Sequence, residues 1–259
     1  MVFQEQNSYG VGSMIQFKNF TAAFGEKQVV SNLNLSLKAN TITAIIGASG
    51  SGKTTLLRTL CRMNDRISNF FIEGNVLIDG KDIYQSETDV YALRRKVGMV
   101  FQKPCVFPES IFENVVFGVK DKWGRNELPG LAQKLLRDVS LWDEVKDRLE
   151  EKATTLSQGQ QQRLTLARTL AVGPQVLLMD EPTSSLDPKS TEVIEMLAQS
   201  LKANHTILWV THQQAQAHSI ADQVLVIKDN QVSPSLMTRQ QEDPVSFTRI
   251  LQNIPGHSE

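Results

Sequence analysis

The sequence predicts an α/β fold: a mostly parallel sheet with helices on its faces, joined to an antiparallel β layer and a helical lobe. Three observations predict it. Short apolar, β-branched runs alternate with longer helical patterns along most of the 259 residues, the order expected when strands are linked by crossover helices. A glycine-rich loop at residues 47–54 stands between one such run and the next helical stretch. From about residue 103 to 151 the β pattern fades and helical segments such as 131–139 replace it, which marks a lobe of another class inserted in the core.

Taken in order, residues 14–20 and 29–37 read as half-buried strands of the antiparallel layer. Residues 41–46 form a buried strand and 53–62 the helix after it. Residues 76–78 followed by Asp79-Gly80 predict a strand and its turn, and 97–101 another strand. Beyond the lobe the core resumes with a helix at 160–171. Strands at 176–179 and 205–210 follow, with a helix at 191–202 between them. Residues 224–227 are expected to be the final strand. These elements place one catalytic domain at 14–232, with the helical lobe at about 103–160 inserted in it, and a C-terminal tail at 233–259.

Composition narrows the function classes. With 41% hydrophobic and 21% charged residues the chain is built like an ordinary globular protein. Its net charge of −1 provides no field that would gather nucleic acid, so no nucleic-acid partner is expected. Two cysteines, Cys61 and Cys105, match no metal spacing and no disulfide framework, which suits a reducing compartment. No apolar run approaches the roughly 20 residues that span a bilayer. The polar first dozen residues lack a signal-peptide pattern. The expectation is a chain that stays in the cytoplasm and reaches a membrane only through a partner.

The strongest chemistry lies in Gly47-Ala48-Ser49-Gly50-Ser51-Gly52-Lys53-Thr54, which fits G-x-x-x-x-G-K-[ST]. Such a loop turns its backbone N–H groups inward around phosphate oxygens, and the helix after it adds its positive N-terminal end. Lys53 is expected to reach the β- and γ-phosphates and the Thr54 hydroxyl to ligate Mg²⁺, with Thr55 completing the cradle. A flexible Gly/Ser loop is the bland reading; a chance match in a chain of ordinary glycine content is on the order of one in a hundred, and the flanking strand and helix lower it further.

Downstream, the apolar run Val176-Leu177-Leu178-Met179 ends in Asp180-Glu181. Asp180 is placed to hold Mg²⁺ and Glu181 to polarise an attacking water as a general base. Gln102 follows the strand at 97–101, and His212 follows the strand at 205–210. In open α/β sheets ligands bind beyond the carboxyl ends of the strands, so Lys53, Gln102, Glu181 and His212 are expected at one edge. Gln102 there is a candidate for both catalysis and Mg²⁺ ligation. Alone, a strand-end His or Gln is more often structural; the shared address is what selects these two.

Leu156-Ser157-Gln158-Gly159-Gln160 precedes an amphipathic helix, with Ser157 as its N-cap. Taken alone, it is an ordinary helix cap. Together with the loop, the acidic strand end and His212, it resembles the ABC ATPase family over residues 14–232. The resemblance implies a P-loop NTPase core in ABC ATPase architecture. It makes Ser157, Gly159 and Gln160 nucleotide contacts, with Gln158 departing from the usual glycine. It makes Ser185-Leu186-Asp187 the D-loop, His212 the switch histidine, and Phe24 the aromatic that stacks on adenine. It also implies ATP and Mg²⁺ as ligands, a homodimer that sandwiches two ATP molecules between phosphate loop and signature, and hydrolysis as the power stroke.

A narrower resemblance follows from Arg62-Met63-Asn64-Asp65, the stretch Gly98 to Pro104 around Gln102, Phe107-Pro108, Ser110-Ile111, Asn114-Val115 and Leu141 to Leu149. These segments are similar to the ATP-binding subunits of bacterial phosphate importers. That resemblance implies two transmembrane permease subunits as partners, an extracytoplasmic phosphate-binding protein reached indirectly, and a peripheral place on the cytoplasmic face of the inner membrane. Cys105 stands where those subunits usually have Asn, and the ending Ile254 to Glu259 also departs from them. An importer of another small solute is the alternative reading.

Overall fold

The computed structural model describes residues 13–235. The polar residues 1–12, and the tail from 236 onward, lie outside the described residues. Two sheets form the framework. An antiparallel sheet has the order β2-β1-β4-β5, from β1 (Ser13–Phe24), β2 (Lys27–Lys38), β4 (Phe70–Ile78) and β5 (Lys81–Asp82). The second is six-stranded, in the order β10-β9-β3-β8-β7-β6. Its members are β3 (Ile42–Gly47), β6 (Val97–Val100), β7 (Val176–Asp180), β8 (Thr206–Val210), β9 (Gln223–Lys228) and β10 (Gln231–Ser235). All its pairings are parallel except β9 with β10.

The central strands are apolar throughout because both of their faces are covered. Alternate residues serve different cores. Ile42, Ala44, Leu177, Met179, Ile207 and Trp209 pack on one side with the helices α3 (Ile111–Val116), α4 (Leu128–Asp138), α6 (Gln158–Ala171), α7 (Pro188–Leu201) and α8 (Gln214–Ile220). Ile45, Val176, Leu178, Leu208 and Val210 pack on the other, with α1 (Lys53–Leu60) and the antiparallel sheet. The six-stranded sheet is thus a septum between two cores. Its carboxyl edge emerges where the layers meet.

The structure differs from the sequence expectation in several places. β4 starts at Phe70, where the expected strand began at 76, because Phe70 to Glu73 pair with Thr21 to Phe24 of β1. A short helix α2 (Val90–Lys96) precedes β6; Asp89 caps it, accepting from the N–H of Tyr91 and of Ala92. The helix α8 follows His212. The strand at 224–227 is not the last, since the chain turns back through Asp229 and Asn230, both at positive φ, into β10 on the sheet edge. Pro234 in that strand lacks an N–H, which an edge strand tolerates. Two further helices, α3 and the short α5 (Trp142–Val145), flank α4 between β6 and α6.

Candidate active site

Strand order decides which side chains can meet. Along the carboxyl edge the sequence β3-β8-β7-β6 sets the glycine-rich loop beside the exit to His212, then Glu181, then Gln102. Neighbouring strands lie about 4.8 Å apart, so Glu181 can be reached from both sides.

The loop's shape depends on glycine at two points. Gly52 has φ +102 and ends the loop as the N-cap of α1; a Cβ there would also overlap the Val29 side chain of β2. At Gly47 a Cβ would come 2.5 Å from the Ile227 carbonyl of β9. Between them, Ser51 N–H donates to the Ala48 carbonyl at 3.2 Å. The Ser51 hydroxyl oxygen is buried without a protein partner, an orphan that a phosphate oxygen would satisfy. Lys53 opens α1 and is 6% exposed. Its ammonium donates to the carbonyls of Gly47 and Ala48, both at 2.8 Å. Burial lowers its pKa from the usual lysine value, against the opposing pull of the Glu181 and Asp180 charges.

Beside it, Thr54 Oγ1 donates to Asp180 Oδ1 at 2.9 Å, linking α1 to the end of β7. Burial raises the Asp180 carboxyl above the usual range, and the Thr54 hydrogen bond and Arg58 only partly offset it. Glu181 is the next residue. It leaves the sheet in the left-handed region, φ +46, with its N–H donating to the Val210 carbonyl at 3.0 Å. This turn points the carboxylate along the edge. His212 Nδ1 lies 3.2 Å from Glu181 Oε2 on the β8 side, and Gln102 Nε2 lies 3.4 Å from the same oxygen on the β6 side. Gln102 Nε2 also reaches Ser184 Oγ at 3.1 Å.

Of these groups Lys53, Thr54, Gln102 and Glu181 border a cavity of about 390 Å³, with Phe24, Lys27, Val29, Ser49, Gly50, Gly52 and Thr55; Asp180 and His212 reach it only through Thr54 and Glu181. Gly47, Ala48 and Ser51 of the same loop are not among its lining. Phe24, at the end of β1, lines the cavity, with its ring 5.2 Å from that of Phe70. Among the described residues no group of three or more His, Cys, Asp or Glu could cage a metal ion. The oxygens of Thr54, Asp180 and Gln102 suit a hard cation that keeps most of its ligands from water and substrate.

Ser157, Gly159 and Gln160 do not line that cavity. They open α6. Ser157 and Gln160 form a reciprocal capping box: Ser157 Oγ accepts from Gln160 N–H at 3.3 Å, and Ser157 N–H donates to Gln160 Oε1 at 2.9 Å. Gln158 is exposed, as is Ser157. Gly159 is needed for packing, because a Cβ there would strike the Ser190 hydroxyl of α7. Ser190 in turn binds Asp187, the α7 N-cap, at 2.6 Å.

Three further polar residues belong here, of which only Gln162, in the Gln161-Gln162-Arg163 that follows the signature, stood in a motif the sequence offered. Ser184 bridges Gln102 to the Glu181 carbonyl, to which it donates at 3.1 Å. Buried Gln216 of α8 donates to Thr183 Oγ1 and Glu195 Oε1, both at 2.8 Å. Gln162 of α6 donates to the carbonyls of Phe101 and Pro182. For Ser184 and Gln216 the only available signal was proximity in sequence to the motifs, which does not separate them from their neighbours.

A family model described as ABC transporter matches residues 30–184, from β2 through the acidic end of β7. The chain belongs to the ABC transporter family. It is 49% identical over 213 residues to the phosphate import ATP-binding protein PstB of Thermotoga maritima, covering 82% of this chain and 85% of the relative. It is 50% identical over 214 residues to the protein of the same name from Pseudoalteromonas translucida, covering 81% of this chain and 77% of that one. Among solved structures it is similar to cbiO1 from Clostridium perfringens, part of the ABC transporter complex cbiONQ, with a TM-score of 0.77 at 26% identity, over 95% of this chain and 97% of that one. A bacterial Atm1-family ABC exporter with ATP bound gives a TM-score of 0.71 at 26% identity, over 86% of this chain and 38% of the exporter. The α/β architecture is therefore that of an ABC ATPase. No helix among the described residues is long and apolar enough to cross a membrane.

Proposed function

We propose that this chain hydrolyses ATP to drive the import of inorganic phosphate, as the nucleotide-binding subunit of an ABC transporter. The observation that carries the reading is the convergence of Lys53, Thr54, Asp180, Glu181, Gln102 and His212 on one sheet edge, in a chain about half identical to phosphate import subunits over most of its length.

The residues take the following parts. The loop from Gly47 to Thr55 wraps the phosphates, and Lys53 exchanges its two backbone carbonyls for β- and γ-phosphate oxygens. Phe24 stacks on adenine. Glu181 accepts the proton of a water attacking the γ-phosphorus, and His212 and Gln102, bonded to the same carboxylate oxygen, hold it in line. Thr54, Asp180 and Gln102 hold Mg²⁺, which when bound neutralises charge developing on the transferred phosphoryl group. Ser157, Gly159 and Gln160 belong to the second chain's site. The exposure of Ser157, and the absence of all three from their own chain's cavity, favour a homodimer with two shared sites. The dimer works beneath two transmembrane permease subunits on the cytoplasmic face of the inner membrane, fed by an extracytoplasmic phosphate-binding protein.

Uptake of radiolabelled phosphate tests this, in cells lacking the subunit and any second phosphate system, complemented with wild type or Lys53→Ala. Rescue by wild type alone is expected. Equal uptake with both proteins expressed would remove phosphate as the cargo.

A further inference from the structure

Gln162 lies one helical turn inside α6 and is 1% exposed. Its amide has two hydrogens, and the structure uses both. Nε2 donates to the Phe101 carbonyl at 3.0 Å and to the Pro182 carbonyl at 2.9 Å. Phe101 immediately precedes Gln102, and Pro182 immediately follows Glu181. β6 and β7 are neighbours in the sheet, and the last pair of their ladder is Val100 with Met179. The Gln162 amide therefore spans the two strands just past the point where their own ladder ends.

The other face of the amide shows that packing alone does not account for this residue. Gln162 Oε1 is buried with no partner. An orphan buried carbonyl costs stability, and a Leu or Met would fill the space without it. The orientation is nonetheless fixed, because turning the oxygen inward would set it against two carbonyl oxygens. Neighbouring side chains of α6 reach elsewhere: Gln161 to the Leu156 carbonyl, Arg163 to Glu144 and Ser140, Arg168 to Asn114 and Cys105. Among the described residues, Gln162 is the one α6 side chain bonded to the exit of β7.

We propose that Gln162 is a positioning residue that relays the placement of the signature helix to the catalytic pair, Gln102 and Glu181. This rests on the functional reading above, in which the N-terminus of α6 meets the nucleotide of the other chain. A helix moves as a unit, so a shift at Ser157 is carried to the carbonyls of Phe101 and Pro182 and sets the spacing of the two side chains beyond them. Gln162 does not line the nucleotide cavity, so binding of ATP to one chain is independent of it. Dimer closure is likewise independent, since it uses Ser157 and the phosphate loop.

The test uses full-length wild type, Gln162→Met, which keeps the shape without donors, and Gln162→Glu, which presents acceptors to acceptors. Three quantities are read: ATP affinity of the single chain, ATP-driven dimer formation, and kcat. Both variants should keep affinity within about twofold and still dimerise, while kcat falls tenfold or more. Retained ATP binding also reports that each variant is folded. A kcat within twofold of wild type in both variants would overturn the relay. So would loss of dimerisation in step with kcat, because that would mean the helix itself is misplaced. A wild type with no ATPase activity would remove the functional reading and this inference with it; an active wild type with unaffected variants removes this inference alone.

Discussion

His212 and Glu181 are 31 residues apart in sequence, yet the imidazole Nδ1 lies 3.2 Å from the carboxylate Oε2. Parallel pairing of β7 and β8, which ends with Asp180 opposite Val210, brings them to the same height on the edge. Replacing Glu181 by Gln keeps the shape and removes the proposed proton acceptor. ATP turnover should fall by about 10²–10⁴, the range a general base contributes, while ATP affinity stays and the ATP-bound dimer persists longer. A steady-state ATPase assay beside size-exclusion in ATP checks both halves; turnover that survives unaltered would refute the role of Glu181.

Ser157 is exposed and its own chain's cavity lies elsewhere. Ser157→Arg should therefore leave ATP binding to the isolated chain intact and abolish ATP-driven dimerisation. Lys53→Ala should abolish productive binding. Equal loss of single-chain binding in the two variants, measured with a fluorescent nucleotide, would sink the shared-site arrangement.

Phe24 lines the cavity, its ring 5.2 Å from that of Phe70. Stacking on a base contributes about 1–3 kcal/mol and is made equally with substrate and transition state. Phe24→Ala should raise KM for ATP about 5- to 160-fold with little change in kcat. A fall in kcat at constant KM would contradict stacking.

Asp180 offers a stability test with a definite sign. Burial raises its folded-state pKa above the unfolded value, so the folded chain binds this proton more tightly than the unfolded one. The ionised carboxylate therefore costs stability at neutral pH, and the cost disappears as pH falls below the unfolded value of about 4. Asp180→Asn should raise the thermal midpoint at pH 7 without added nucleotide, with a gap over wild type that narrows in acid. The same variant should lose Mg²⁺-dependent ATPase activity. A lower midpoint at pH 7 would show that the Thr54 hydrogen bond outweighs burial.

The two cysteines should differ in reactivity. Burial pushes the Cys61 thiol up to about 11, and it is 2% exposed, whereas Cys105 is exposed. The thiolate is the reacting form, so a disulfide reagent should titrate one thiol quickly and the second only in denaturant. Cys105→Ser should remove the fast phase. Two fast thiols would show that the β1–α1 core opens readily.

What could be read from the sequence was whatever a short run of residues encodes by itself. The loop at Gly47 to Thr54 announces its turn and its chemistry, and the strands ending at Gly47, Asp180 and Val210 announce themselves as apolar runs because both faces are buried. β10 was hidden because Gln231 to Ser235 is mostly polar, contains Pro234, and is ordered by pairing with β9. α8 carries Gln and Ala on several faces and no clean apolar stripe. The contacts of Gln162, Ser184 and Gln216 were illegible for a different reason: each bonds a carbonyl or hydroxyl that only the folded sheet edge brings near. Exposure of Ser157 had no local signature either, since its capping box is that of any helix start.

The left-handed backbone at Glu181 has a consequence for engineering. A residue with a Cβ held there costs on the order of 1–2 kcal/mol, and no glycine relieves it at this position. Glycine would, at the expense of the carboxylate. A screen for heat resistance alone, with turnover unmonitored, would thus tend to erase the residue proposed as the general base. Robustness and work are in opposition at a single Cα.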